Sequence, residues 1–184
     1  MERDMYSARY ASPLGPLLLV ADGGHLVGLW MEGQKYFRET APADMVRMDD
    51  LPVFAAARDW LDRYFAGQRP QPSELPLSPE GSSFRKAVWE ILCAIPYGEV
   101  TTYGRIASLM AAQMNKASMS CQAVGGAVAH NPIAIIIPCH RVVGTDGSLT
   151  GYAGGIDRKA RLLEHEGVDM ARGPLRRPCL SLPS

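Results

Sequence analysis

Ile137-Pro138-Cys139-His140-Arg141-Val142-Val143 is the stretch from which the rest of the chain is read. It follows an apolar run, Ile133 to Ile137, that reads as a buried strand bounded by Pro132 and Pro138. It ends on a thiol beside an imidazole. A free thiol has a pKa near about 8.5, so little of it is thiolate at neutral pH. A nucleophilic cysteine therefore needs a base or a cation close by, and His140 offers an imidazole. Lowering the thiol by about two pKa units takes roughly 2.7 kcal/mol of differential stabilisation. The histidine in turn needs an acceptor that fixes its tautomer, usually a carboxylate from elsewhere in the chain. Neighbours in an extended strand point to opposite faces, so Cys139 and His140 need a turn or a bridging water to meet. From the dipeptide alone, a small buried hydrophobe and a nucleophile are both open readings of Cys139.

Upstream of this stretch, Ser120-Cys121-Gln122-Ala123-Val124-Gly125-Gly126-Ala127-Val128-Ala129 has few large side chains. The spacing predicts a helix capped by Ser118 or Ser120 and running to about His130. Gly125 and Gly126 each cost about 1 kcal/mol relative to Ala in a helix. Close approach of a second helix or of a DNA groove would offset that cost. Before it, Thr102 caps a helix with Tyr103, Ile106, Ala107 and Met110 on one face, and the pair permits a helix-turn-helix. Ser83 can cap a further helix holding Phe84, Val88, Ile91, Leu92 and Ile95, ended by Pro96-Tyr97-Gly98. Asp157 starts a last helix that Gly167 closes.

Toward the N-terminus, Gln68 to Gly81 holds Pro70, Pro72, Pro76 and Pro79 with Ser73 and Ser78, and reads as a linker. Ahead of it, Pro52 to Phe65 has helical spacing, stopped by Gly67. Leu17 to Ala21 and Leu26 to Trp30 read as two strands joined at Asp22-Gly23-Gly24.

Charge changes sign near the linker. Residues 1–82 carry 8 Lys/Arg against 12 Asp/Glu, a balance of −4, and residues 83–184 carry 11 against 7, a balance of +4. A basic half beside an acidic half allows an anionic partner on one side only, and the modest excess alone fits a solvated surface as well as a nucleic-acid face. A composition of 47% apolar and 21% charged residues excludes disorder over most of the chain. No apolar run approaches the roughly 20 residues that span a bilayer, and residues 1–16 lack the apolar core of a signal peptide. The 4 cysteines, Cys93, Cys121, Cys139 and Cys179, form no CxxC pair and are not grouped with the 4 histidines at zinc-finger spacing. A reduced, cytoplasmic protein with free thiols is expected.

Taken together these segments resemble the O6-alkylguanine-DNA alkyltransferase family. The resemblance rests on Pro138-Cys139-His140-Arg141-Val142, on Asn131-Pro132, and on Ile95-Pro96-Tyr97-Gly98-Glu99-Val100-Thr101-Thr102-Tyr103. Gly151-Tyr152-Ala153-Gly154-Gly155 and Leu162-Leu163-Glu164-His165-Glu166-Gly167 add to it, in order, from about Ser83 to Val168. It implies an N-terminal α/β domain, residues 1–79, with a ribonuclease-H-like sheet. It implies a mainly α, winged-helix-like domain, residues 80–184, that binds DNA through the helix-turn-helix and carries the transfer.

The implied activity is direct-reversal DNA repair. One alkyl group moves irreversibly from O6 of guanine in double-stranded DNA to Cys139, with O4 of thymine a further candidate position. The implied roles are Cys139 as nucleophile, His140 as base through a water, Glu166 as the carboxylate that orients it, and Asn131 as holder of the turn. Tyr103 would assist nucleotide rotation and protonate the departing guanine. Val142, Tyr152 and Ala153 would line the guanine pocket. Ser120, Gln122, Ala123 and Gly125 would meet the minor groove while the damaged base is flipped. No cofactor or metal is implied, and a monomer is expected. A non-catalytic binder of alkylated DNA and a cysteine hydrolase are the alternative readings. One departure stands out: Gln122 occupies the position where many members insert an arginine into the base stack. The stretch Met110 to Met119 is also longer than the commonest family pattern.

Overall fold

The computed structural model describes residues 3–169. The tail, with Cys179, Arg172, Arg176 and Arg177, lies outside the described residues. The chain divides into two compact units. One comprises residues 1–80 with 132–136, the other residues 81–131 with 137–184.

The first unit is a four-stranded sheet with a helix. Strands β1 (Tyr6–Ser12), β2 (Gly15–Ala21), β3 (Leu26–Met31) and β4 (Val46–Arg47) lie in the order β3-β2-β1-β4. The two hairpins are antiparallel, and β4 joins β1 in parallel. Helix α1 (Pro52–Phe65) starts on the proline, as a helix tolerates at its first turn, and ends before Gly67 at φ +87°. Its buried stripe, Val53, Phe54, Ala57, Trp60, Leu61 and Tyr64, recurs three or four apart and packs on β2 and β3. A second cluster, Leu18, Val20, Val27 and Trp30, is covered by Met5, Ala41 and Met45. With both faces covered, β3 is buried along its whole length, unlike an alternating surface strand. Gly28 is required there, because a Cβ would sit 2.0 Å from the Trp30 ring.

Two expectations change in this unit. The proline-rich segment contains a 3-10 turn at Pro72–Glu74 and is pinned to the start of β3, with Leu26 donating to Pro76 O and Ser78 donating to Leu26 O. Trp60 Nε1 also donates to Gln71 O at 2.8 Å. It is therefore not a free linker. The run Ile133 to Ile137 is buried but is not a strand. Only Ile133 bridges, to Leu29, with Leu29 N donating to Pro132 O and Ala134 N to Leu29 O. The chain then turns, and Ile135 takes φ +69°, a left-handed conformation that costs a β-branched residue strain. This short segment covers the exposed edge of β3 and satisfies its backbone there.

The second unit is mainly helical. Helix α2 (Ser83–Cys93) is capped by Ser82 rather than by Ser83, the Ser82 hydroxyl accepting from Arg85 N. Strand β5 (Thr101–Thr102) leads into α3 (Tyr103–Gln113), with Thr102 Oγ1 accepting from Arg105 N. Ser120 caps α4 (Cys121–Ala129), accepting from Gln122 N and Ala123 N. Strand β6 (Val142–Val143) pairs in parallel with β5, and α5 (Ile156–His165) begins after Gly155. Helices α2, α3 and α4 pack on one another, and Trp89 Nε1 donates to Ala127 O at 2.8 Å inside that core. Val100, Val143, Leu163 and Val168 form a smaller cluster beside the β5–β6 pair. Among the described residues no helix is long and apolar enough to cross a membrane.

Candidate active site

Pro138 precedes Cys139–Arg141, one 3-10 turn that exits directly into β6. This turn answers the geometric objection to neighbouring Cys and His in a strand. The three side chains of Cys139, His140 and Arg141 are all buried. Pairing of β6 with β5 fixes Val142 opposite Thr101 and so sets the turn beside the first residue of α3.

His140 Nε2 lies 2.5 Å from Glu166 Oε2, and both side chains are wholly excluded from solvent. Glu166 caps the end of α5, and Gly167 at φ +82° lets the chain leave there. Its other oxygen, Oε1, accepts from Arg141 Nε at 2.7 Å and from Gly98 N at 3.1 Å. Gly98 has φ +79°, and a Cβ would come 3.0 Å from Glu166 O, so the Pro96-Tyr97-Gly98 turn needs glycine for this approach. Burial alone would raise the Glu166 carboxyl. The charges and hydrogen bonds of His140 and Arg141 outweigh it and hold the group well below the ordinary carboxylate range. An ionised Glu166 can only accept. The proton between the pair therefore belongs to His140 Nε2, and in the neutral ring, which burial favours, the lone pair is on Nδ1. That Nδ1 is buried and has no hydrogen-bond partner among the described residues. Burial also pushes His140 below its usual value, against the pull of Glu166.

Asn131 follows the end of α4. Its Nδ2 donates to Ile137 O at 2.8 Å and its side chain also hydrogen-bonds Cys139. The thiol is corrected relative to expectation. Burial raises the Cys139 pKa, and the opposing effects of Asn131, the Lys159 charge and local backbone N–H groups do not reverse it. Burial thus favours the protonated thiol at Cys139.

Lys159 carries no signal in the sequence, where it is one of several charged residues between Asp157 and Glu166. It is wholly buried. Its Nζ donates to Thr150 O at 3.0 Å and lies 5.9 Å from the ring centroids of both Tyr103 and Tyr152. Desolvation lowers it to about 8, while the Cys139 sulfur pulls the other way. Tyr103 Oη donates to the same Thr150 O at 2.9 Å, and burial pushes its pKa to about 12. The Tyr152 hydroxyl is buried without a hydrogen-bond partner among the described residues, and its pKa is raised, first by burial and then by Cys139.

Cys139, His140, Glu166, Asn131, Tyr103, Val142 and Tyr152 thus gather in one unit, with Val142 fully buried and Ala153 half-buried in the following loop. Ser120, Gln122 and Ala123 do not join them. They are exposed on the first turn of α4, with Gly125 half-buried behind and open space where its Cβ would be. Val124, Ala127 and Val128 are the buried side of that helix. Cys121 is an exposed free thiol and Cys93 a half-buried one whose pKa burial raises to about 11.

This arrangement has close relatives. Residues 83–168 match the family model "6-O-methylguanine DNA methyltransferase, DNA binding domain", and residues 5–79 match "6-O-methylguanine DNA methyltransferase, ribonuclease-like domain". A methylated-DNA–protein-cysteine methyltransferase of Haemophilus influenzae is 42% identical over 165 residues, covering 89% of this chain and 87% of its own. One from Methanosarcina acetivorans is 45% identical over 164 residues, covering 89% and 99%. The crystal structure of Mycobacterium tuberculosis OGT in complex with DNA superposes with a TM-score of 0.76 at 40% identity, covering 92% of this chain and 96% of that one. A buried Cys-His-Glu set, a capped helix pair and matches over both units lead to one conclusion: the chain belongs to the 6-O-methylguanine DNA methyltransferase family.

Proposed function

We propose that this protein repairs DNA by direct reversal, moving the alkyl group of an O6-alkylguanine in double-stranded DNA onto its own Cys139. The observation that carries the reading is the buried chain of contacts Asn131–Cys139, His140–Glu166 and Arg141–Glu166, which leaves His140 Nδ1 as an unengaged base. The sulfur attacks the alkyl carbon, an S–C bond forms, and the C–O6 bond breaks. The thiol proton goes to His140 Nδ1, directly or through a water, and Glu166 balances the imidazolium charge. The Lys159 cation favours the sulfur anion as it develops. Tyr103, whose raised pKa keeps its proton at neutral pH, supplies a proton to the departing guanine. Val142, Tyr152 and Ala153 form the guanine pocket. A thioether is not hydrolysed under these conditions, so each chain acts once.

On the DNA side, Ser120, Gln122, Ala123 and Gly125 of α4 form the groove-facing surface, and Gln122 fills the gap left by the flipped base. Residues 1–79 serve as the ribonuclease-like domain, and residues 80–184 as the part that binds DNA and accepts the alkyl group. A monomer in the cytoplasm fits this chemistry, since a reducing compartment keeps the described cysteines as thiols. The test is stoichiometric. Duplex carrying a single O6-methylguanine is mixed in excess over protein, and restored guanine is counted. One lesion repaired per chain supports the proposal, and continued turnover contradicts it in favour of a hydrolase.

A further inference from the structure

Arg141 closes the 3-10 turn that begins at Cys139. Its Nε donates to Glu166 Oε1 at 2.7 Å, its Nη1 donates to Ile95 O at 2.6 Å, and its guanidinium carbon lies 5.7 Å from the centroid of the Tyr97 ring. The side chain is buried. A guanidinium held at three points offers Glu166 a fixed cation on the side opposite His140. Glu166 therefore divides one negative charge between two partners, with Oε2 toward His140 and Oε1 toward Arg141 and Gly98 N.

We propose that Arg141 is a positioning residue for the transfer: by engaging one oxygen of Glu166 it keeps His140 neutral, with the Nδ1 lone pair open to the thiol proton. This rests on the alkyl-transfer reading above. A buried carboxylate paired with a histidine alone favours the imidazolium, and an imidazolium cannot take a proton. With Arg141 engaging Oε1, less of the carboxylate charge is directed at His140, so a standing imidazolium is less favoured in the resting site. The other groups around this position act in known directions. Lys159 on α5 adds positive charge and disfavours the imidazolium, as Arg141 does, while Glu166 favours it. Cys139 precedes His140 on the turn, and the Tyr103 and Tyr152 hydroxyls stay protonated near the sulfur. On α2, Cys93 feels the charges of Glu90 and Arg141.

The test is the rate of methyl transfer from duplex O6-methylguanine between about pH 5 and about pH 9, for wild type, Arg141→Lys and Arg141→Met. In Arg141→Met, His140 becomes more basic, so the acid limb of the profile moves up by about one pH unit. The variant is then about tenfold slower than wild type on the acid side, and the two rates converge on the alkaline side. Arg141→Lys keeps the charge and keeps the wild-type limb. An unmoved limb in Arg141→Met, or an equal shift in both variants, overturns the proposal. The second arm needs neither variant nor DNA. Imidazole 15N NMR of the wild-type protein near pH 6 is expected to show His140 neutral with the proton on Nε2, and a doubly protonated ring there overturns the proposal. Absence of wild-type transfer would count against the alkyl-transfer reading alone, leaving the NMR arm to decide on Arg141.

Discussion

His140 and Glu166, 26 positions apart in sequence, meet at 2.5 Å with no solvent between their side chains. The contact specifies the tautomer of the imidazole through the acceptor-only character of the carboxylate. Glu166→Gln keeps the shape but adds an amide donor, which turns the ring over to its other tautomer. General-base catalysis is worth about 10²–10⁴-fold, so single-turnover methyl transfer is expected to fall by at least roughly a hundredfold. The same change leaves the Arg141 charge unpaired in the interior and is expected to lower the Tm. Transfer within threefold of wild type would mean that Glu166 has no part in the chemistry.

Lys159 predicts opposite effects on stability and activity. Its pKa is lowered from 10.5 to about 8. Between those values the unfolded chain holds a proton that the folded chain lacks, so this group's contribution to stability rises with pH across that window. At neutral pH a buried cation costs stability. Lys159→Met is therefore expected to gain about 1–2 kcal/mol by urea unfolding at pH 7, and to react with O6-methylguanine DNA about tenfold more slowly as the sulfur loses its cation. A less stable variant with full activity would contradict both parts.

Asn131→Ala removes the donor to Ile137 O and the contact to Cys139. An unsatisfied buried carbonyl costs about 1–3 kcal/mol. The Cys139 thiol, already raised by burial, is expected to rise further. A shift of the alkaline rise in Cys139 alkylation by a small electrophile, followed by mass spectrometry, checks this.

Gln122 predicts a dependence on the form of the substrate. Flipping a paired base costs a few kcal/mol, and a free modified guanine requires no flipping. Gln122→Ala is expected to slow repair of duplex DNA while leaving reaction with free O6-benzylguanine unchanged. Gln122→Arg is expected to steepen the salt dependence of DNA binding, because it adds a cation near phosphates. Equal duplex repair rates for wild type and Gln122→Ala would remove Gln122 from the flipping step.

Much of this was legible in the sequence. The stripe of α1, the Thr102 and Ser120 caps and the Gly67 and Gly167 stops are local features, and local chemistry fixed them. Cys139, His140, Glu166, Asn131, Tyr103, Val142 and Tyr152 came from ordered motifs, and the structure places them in one unit, with the two tyrosines half-buried and the rest buried. Three things were not legible. The Ile133 to Ile137 run has strand composition, but hydrogen bonding to the edge of β3 uses only its first residues, and tertiary packing overrode β propensity in the rest. Strand β4 is two exposed residues long and exists only through long-range pairing with β1. Lys159 lies in a helix rich in charged residues, where a lysine reads as solvated, and only the fold reveals its burial between two tyrosine rings.

The most direct measurement is the intact mass of the protein after mixing with a duplex containing one O6-methylguanine, for wild type beside Cys139→Ser. The account predicts a gain of one methyl group in wild type, ending at one per chain, and none in the variant. A methyl gained equally by Cys139→Ser, or no gain by wild type on DNA it still binds, would contradict the assignment of Cys139 as the acceptor.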